Sequence, residues 1–244
     1  MILASAGLGP SSSRAIRAFG EAAGAKASGK FTCWTGDAIA IAPPLPAEFS
    51  PNAAPDAQFT LGVAGGHLSL AADDDPETQV LALALCGRIE NFRALKRRLI
   101  AAGKSRPIAS ESDVVRDLLV LYLARGRDAP QALRCTLALL VGDVAIAALL
   151  HDGDDAFIAA ADRGASALYV GAGDNECALA TAPSLIAGAG FASSSRAGDS
   201  DCVLLRPTRL GFVDEDDMII ERRLSPLAQV SARDDAAISS TVFV

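Results

Sequence analysis

The 244-residue sequence predicts an α+β layered domain with two antiparallel sheets and helices outside. Strand-length apolar segments crowd both ends of the chain, and helical segments with a periodic apolar face occupy the middle. Half the residues are hydrophobic and 21% are charged, enough for a sizeable core and contrary to a disordered chain.

The elements follow in order. Ile2 to Ala6 reads as a short strand. A Gly-Pro-Ser turn follows, and Ser11, Ser12 or Ser13 can cap a helix from about Arg14 to Ala25, with Ile16 and Phe19 on one face. KFTCWTG and AIAIA are strands around a turn at Gly36-Asp37, and the proline-rich residues 43 to 58 are a loop. FTLGVAGGHLSLA alternates as one strand, DDDPE is an acidic turn, and TQVLALALCG is a strand buried on both faces. Glu90 or Asn91 opens a helix to about Ala102, ended by Gly103, with Phe92, Leu95, Leu99 and Ile100 on its apolar positions.

A second helix starts at Ser110 or Ser112, with Val114, Leu118, Leu121 and Tyr122 on one side, and APQALRCTL is a shorter third. Strands follow at Val144 to Leu150, Ala156 to Ala161, Ala167 to Gly171 and ECALATA. SLIAGAG is a short helix or turn; CVLLRP, RLGFVD and DMIIERRL close the fold as an antiparallel meander. One domain is expected over residues 1–230, with a C-terminal tail at 231–244.

Net charge is −7 and the only basic cluster is Arg93, Lys96, Arg97 and Arg98, read as a solvated helix face, so no nucleic-acid partner is expected. No apolar run reaches membrane-spanning length and the start lacks a basic leader region, so the chain is read as cytoplasmic. Its five cysteines are scattered, with no C-x-x-C pair and only His67 and His151 as histidines. That argues against a zinc site and a disulfide framework, and no cofactor is expected. DGDD at 152–155 lacks the spacing of a calcium loop and reads as a hairpin turn. DEDD at 214–217 reads as a solvated turn, and GAGDNE precedes a strand where a phosphate loop would open a helix.

From residue 82 to about 171 the order of motifs is distinctive. A strand ends in Cys86-Gly87 and runs into Arg88-Ile89-Glu90-Asn91; Ser110-Glu111-Ser112-Asp113 opens a helix; Leu140-Val141-Gly142-Asp143-Val144-Ala145 enters a strand; Gly164, Leu168 and Tyr169 follow, with Asp162-Arg163 nearby. This order resembles the glutaminase domain of class II glutamine amidotransferases, which are N-terminal-nucleophile (Ntn) hydrolases. It is closest to the front domains of asparagine-synthetase-like proteins. The resemblance implies an αββα four-layer sandwich.

It also implies a catalytic apparatus, which these residues match incompletely. The family uses an N-terminal cysteine whose α-amine is the base; position 2 here is Ile2, and Ser5 would require processing after Ala4. The family's oxyanion hole pairs an asparagine side chain with a glycine N–H; here the places hold Cys86, a weak donor, and Gly87. Losing one such donor typically costs about 2.7–4 kcal/mol of transition-state stabilisation. The family's arginine clamp on the substrate carboxylate falls near His67, which lacks the guanidinium fork. Asp113 matches the carboxylate that binds the substrate amine, or is simply a helix N-terminal acid.

The expectation is a vestigial glutamine pocket of His67, Cys86, Gly87 and Asp113, with no catalytic residue retained and Cys86 a buried thiol. The partner expected is an ATP-dependent asparagine-synthetase-like amide- or lactam-forming protein, with a second copy of the chain and an amino-acid ligand kept open. An active glutaminase with an unconventional nucleophile, or an amino-acid sensor, are the alternatives.

Overall fold

The computed structural model describes residues 1–7, 30–34, 39–42, 58–64, 66–70, 79–104, 107–152, 155–164, 166–173, 176–191, 194–197, 202–207, 209–213 and 219–223. The expected helix at 14–25, the turn at 36–37, the acidic turn at 73–77, the turn at 214–217, the tail and nearly all of the proline-rich loop lie outside these residues.

Among the described residues, fourteen strands make two seven-stranded sheets. In chain order they are β1 (Ile2–Gly7), β2 (Lys30–Trp34), β3 (Ile39–Ala42), β4 (Phe59–Val63), β5 (His67–Leu70), β6 (Val80–Gly87), β7 (Val144–Asp152) and β8 (Asp155–Arg163). The series continues with β9 (Tyr169–Gly173), β10 (Glu176–Ala180), β11 (Ser194–Arg196), β12 (Cys202–Arg206), β13 (Arg209–Val213) and β14 (Ile219–Arg223). The first sheet runs β11-β9-β10-β1-β4-β2-β3 and the second β14-β13-β12-β8-β7-β6-β5, every neighbour antiparallel. Helices α1 (Phe92–Ala101), α2 (Glu111–Leu123) and α3 (Ala129–Leu139) interrupt the strands, and α4 (Pro183–Gly188) packs on β9, β10 and β11.

Period-two side-chain alternation builds the layers. In β7, Val144, Ile146, Ala148 and Leu150 face the helices, while Ala145, Ala147 and Leu149 face the other sheet. In β6, Leu83 and Leu85 join the helix-side core, and Ala82 and Ala84 the inter-sheet core. A bulge between Val80 and Ala82 brings the register back to Ala82 opposite Leu149. Alanines dominate the middle strands between the sheets, with Ile2, Phe59, Leu61 and Leu179 filling the first sheet's inner face. Leu95, Leu99, Val114, Val115, Leu119 and Leu133 seal the helix side.

Helix starts carry visible caps. Ser110 accepts from the Asp113 N–H while Asp113 accepts from the Ser110 N–H, a reciprocal capping box. Asp128 accepts from the Gln131 N–H at 2.8 Å, with Pro130 in the first turn of α3. The α3 helix runs two residues past the expected APQALRCTL segment.

Several expectations are corrected. FTLGVAGGHLSLA is two strands: β4 pairs with β1 and β2 in the first sheet, and β5 with β6 in the second. Gly66 lies in the break between them, where the chain passes between sheets. Ile100 is 54% exposed; it stands one residue, about 100° of helix rotation, past Leu99. Asn91 is the α1 cap position without a side-chain cap bond. β11, all exposed Ser-Ser-Arg, was invisible to a hydrophobic pattern. The strand expected from Ala167 begins at Tyr169, because Asp162 Oδ2 takes the Leu168 N–H at 2.7 Å. Asp152 pairs opposite Asp155 at the ends of the DGDD segment, whose two central residues lie outside the described residues. Among the described residues no helix is long and apolar enough to cross a membrane.

Candidate functional site

The end of β6 forms a tightly built junction. Cys86 pairs with Ala145 and Gly87 with Val144. Gly87 has φ +103°, and a Cβ there would lie 2.0 Å from the Asp143 carbonyl oxygen, so only glycine fits. The chain then lies along the 139–143 segment. Arg88 N–H donates to Asp143 O at 3.2 Å and Glu90 N–H to Val141 O at 2.8 Å. Asn91 brackets that segment, donating from Nδ2 to Leu139 O (2.8 Å) and accepting at Oδ1 from Val141 N–H (3.1 Å). Ile89 N–H reaches Glu111 Oε2 at 3.0 Å, tying the junction to the first turn of α2. Gly142, with φ +121°, lies so close to Arg88 O that a Cβ would meet it at 2.3 Å. The Cys-Gly-Arg-Ile-Glu-Asn stretch is therefore a rigid frame around one strand end.

The start of β1 meets this frame. The amino nitrogen of Met1 donates to Ala64 O at 2.7 Å and to Cys86 Sγ at 2.8 Å. Ile2 N–H donates to Thr181 Oγ1 at 2.9 Å, and the Ile2 side chain is fully buried. Ser5 is buried too, its hydroxyl 2.5 Å from Thr60 Oγ1.

Asp113 stands at the start of α2. Its Oδ1 accepts the Ser69 hydroxyl at 2.7 Å, and its Oδ2 accepts the N–H groups of Ala109 (3.1 Å) and Ser110 (2.9 Å). Burial pushes the carboxyl up, but the Ser69 and Ser110 side chains and the two backbone donors outweigh it and hold Asp113 below the ordinary 3.8. Ser69 lies on β5, so this bond locks β5 to α2. Arg116, buried on α2, adds a second tie by donating to Leu70 O, and pairs with Asp117 at 3.5 Å.

His67 sits two residues before Ser69, opposite Leu85 and exposed. The structure thus puts His67 on the strand beside β6, Cys86 and Gly87 at the end of β6, and Asp113 on the helix bonded to β5. Cys86 is half-buried rather than buried, a correction to the thiol's expected environment. The structure adds Met1, Ser69, Glu111, Asn91 and Thr181 to the site. Their bonds join residues far apart in the chain, and only Asn91 and Glu111 lay within motifs that marked the frame.

The arrangement of layers has counterparts among solved structures. The glutamine phosphoribosylpyrophosphate amidotransferase from B. subtilis superposes with TM-score 0.60 and 14% identity, covering 92% of this chain and 49% of that one. This is the Ntn-hydrolase amidotransferase fold. A structure described as the allosteric regulatory enzyme of purine biosynthesis matches the amidotransferase fold equally, at TM-score 0.60 and 14% identity over the same shares. No protein-family model matches the chain.

Curated relatives are glutamine–fructose-6-phosphate aminotransferases. That of Bartonella henselae is 30% identical over 151 residues, 62% of this chain and 24% of the relative. That of Brucella abortus is 32% identical over 146 residues, 59% and 23%. That of Zymomonas mobilis is 32% identical over 165 residues, 66% and 25%. The chain spans about a quarter of the length of the curated relatives it matches. It carries a glutamine-amidotransferase-like domain.

Proposed function

We propose that this amidotransferase-like domain does not hydrolyse glutamine and serves as a binding or structural partner of a larger amide-forming enzyme. The observation that carries the reading is the hydrocarbon side chain of Ile2, fully buried at the start of β1, where an Ntn amidotransferase needs a nucleophile. Three further features support it. The Ser5 hydroxyl is enclosed with Thr60, and cleavage before it would remove Leu3 and Ala4 from their pairs with Ala180 and Leu179. Cys86 stands where the oxyanion-binding amide is expected. Asp113 already accepts three protein donors, which suits a structural cap.

The partner we propose is an ATP-dependent asparagine-synthetase-like protein that forms an amide or lactam bond. It would be joined to this domain or separate from it. The length of the matched relatives supports a modular role, since the matched part is about a quarter of each. Purified protein given glutamine is expected to release no glutamate or ammonia above a blank, and affinity capture from the source cell is expected to recover an amide-forming synthetase. Glutamate release, or capture without such a partner, would overturn the respective half of the reading.

A second reading rests on the 2.8 Å contact of the Met1 amino nitrogen with Cys86 Sγ. A free amine there could take the thiol proton; the thiolate would attack the glutamine side-chain carbonyl, expel ammonia and be freed by water. That reading requires an unblocked Met1, which intact mass measures, and glutamate release that disappears in Cys86→Ala.

A further inference from the structure

Helix α1 shows solvent an unbalanced face. Four of its ten residues are cationic, Arg93, Lys96, Arg97 and Arg98, and none is acidic. The rest of the chain sums to −11, against −7 for the whole. Leu95 and Leu99 turn inward, and Lys96 gives its Nζ to Ile108 O. Arg93, Arg97 and Ile100 are exposed and lie within about 60° of helix arc, with exposed Ala94 and Ala101 beside them.

No ion pair among the described residues reaches Arg93, Arg97 or Arg98. The helix packed on α1 is α2, and its acids are taken: Glu111 by the Ile89 N–H, Asp113 by Ser69, Ala109 and Ser110, and Asp117 by Arg116. Glu90, ahead of α1, has its stem beside Gly142.

The face also works against its own helix. Arg93 stands in the first turn, at the positive end of the dipole, and one turn from a like charge, Arg97. Ile100, 54% exposed, leaves hydrocarbon in water. Val141, the other large hydrophobic residue exposed among the described residues, borders the opposite end of α1, its N–H donating to Asn91 Oδ1. Carboxylates set about 6 Å apart around an apolar side chain would offset the two arginines and cover Ile100 together.

We infer that this face of α1 is a docking surface for an acidic protein segment, with carboxylates for Arg93 and Arg97 and an apolar side chain against Ile100. Arginine is the cation that protein interfaces enrich. A nucleic acid fits less well: three arginines on a helix about 15 Å long meet few phosphates, and the other residues carry net negative charge. A membrane surface also fits less well. Ile100 is the one exposed large hydrophobic residue of α1, where interfacial helices bury a continuous apolar face. The surface stands independently of the role proposed for the Gly87 frame.

The probe is an alanine-based helical peptide with glutamates four apart flanking a leucine; matched peptides carry glutamine or lysine in place of glutamate. Titrated into the full chain at physiological salt and followed at the Ile100 methyls, the glutamate peptide is expected to give saturable shifts. The glutamine peptide is expected to bind about tenfold more weakly or worse. Arg93→Glu combined with Arg97→Glu is expected to weaken the glutamate peptide by about tenfold or more and to bind the lysine peptide instead. The exposed Arg127→Glu, past the far end of α2, is expected to leave affinity within about twofold. Several results would overturn the inference: no saturable shift at Ile100, equal binding of the glutamate and glutamine peptides, or no exchange of preference in the charge-reversed chain. So would a DNA duplex or a phosphatidylserine vesicle that binds this face more tightly than the glutamate peptide.

Discussion

At the scale of single residues, Gly87 and Asp113 do opposite kinds of work. Gly87 is needed for what it lacks. Gly87→Ala would impose a left-handed φ on a β-carbon and press it against the Asp143 carbonyl, and is expected to cost about 3 kcal/mol or more in urea unfolding. Asp113 is needed for its charge. Its depressed pKa means its contribution to stability is complete above the ordinary 3.8 and is lost as pH falls through the lower folded value. Asp113→Asn is therefore expected to lower stability by about 1 kcal/mol near neutral pH. The gap from wild type should close in strong acid, which paired urea curves would show. Ser69→Ala should narrow that pH dependence, because it removes the largest stabilising bond to the carboxylate. Cys177 is the counter-case: burial pushes its thiol up to about 12. In native protein it is expected to resist alkylation while the half-buried Cys86 and Cys135 react, as peptide mass mapping would reveal.

At the scale of elements, legibility tracked locality. The start of α2 could be read from Ser110 and Asp113, because a capping box is made by residues three apart. α3 begins at Ala129, as the APQALRCTL segment predicted, with Asp128 capping it and Pro130 in its first turn. β11 could not be read, since three exposed polar residues carry no period. Nor could the division of FTLGVAGGHLSLA between sheets, because alternation reports a buried face without naming the sheet that covers it. At the candidate site, the Cys-Gly and Ser-x-Ser-Asp motifs marked positions. The Ser69–Asp113 and Met1–Cys86 contacts span 44 and 85 residues, and no local pattern encodes them. Arg116 shows how much such ties matter: buried on α2 and bonded to β5, it is expected to cost about 3–5 kcal/mol when replaced by alanine. Ile100→Lys, on the exposed side of α1, should stay within about 0.5 kcal/mol of wild type in the same assay.

At the scale of the whole molecule, two cores of different texture share one sheet. The helix-side core is built of leucine, isoleucine and valine, while alanines dominate the middle strands between the sheets. Small side chains on facing sheets leave little slack for growth. Ala147→Leu is accordingly expected to destabilise the chain by about 1–3 kcal/mol through crowding, read as a lowered unfolding midpoint.

One consequence concerns the order of synthesis. β1 sits mid-sheet between β4 and β10, and Leu3 is registered with Ala180, 177 residues further along the chain. Its partners on β10 are synthesised about 170 residues or more after it. Until β10 follows, β1 must wait with one edge unpaired. Assembly is therefore obliged to finish late and slowly, as long loop closures demand.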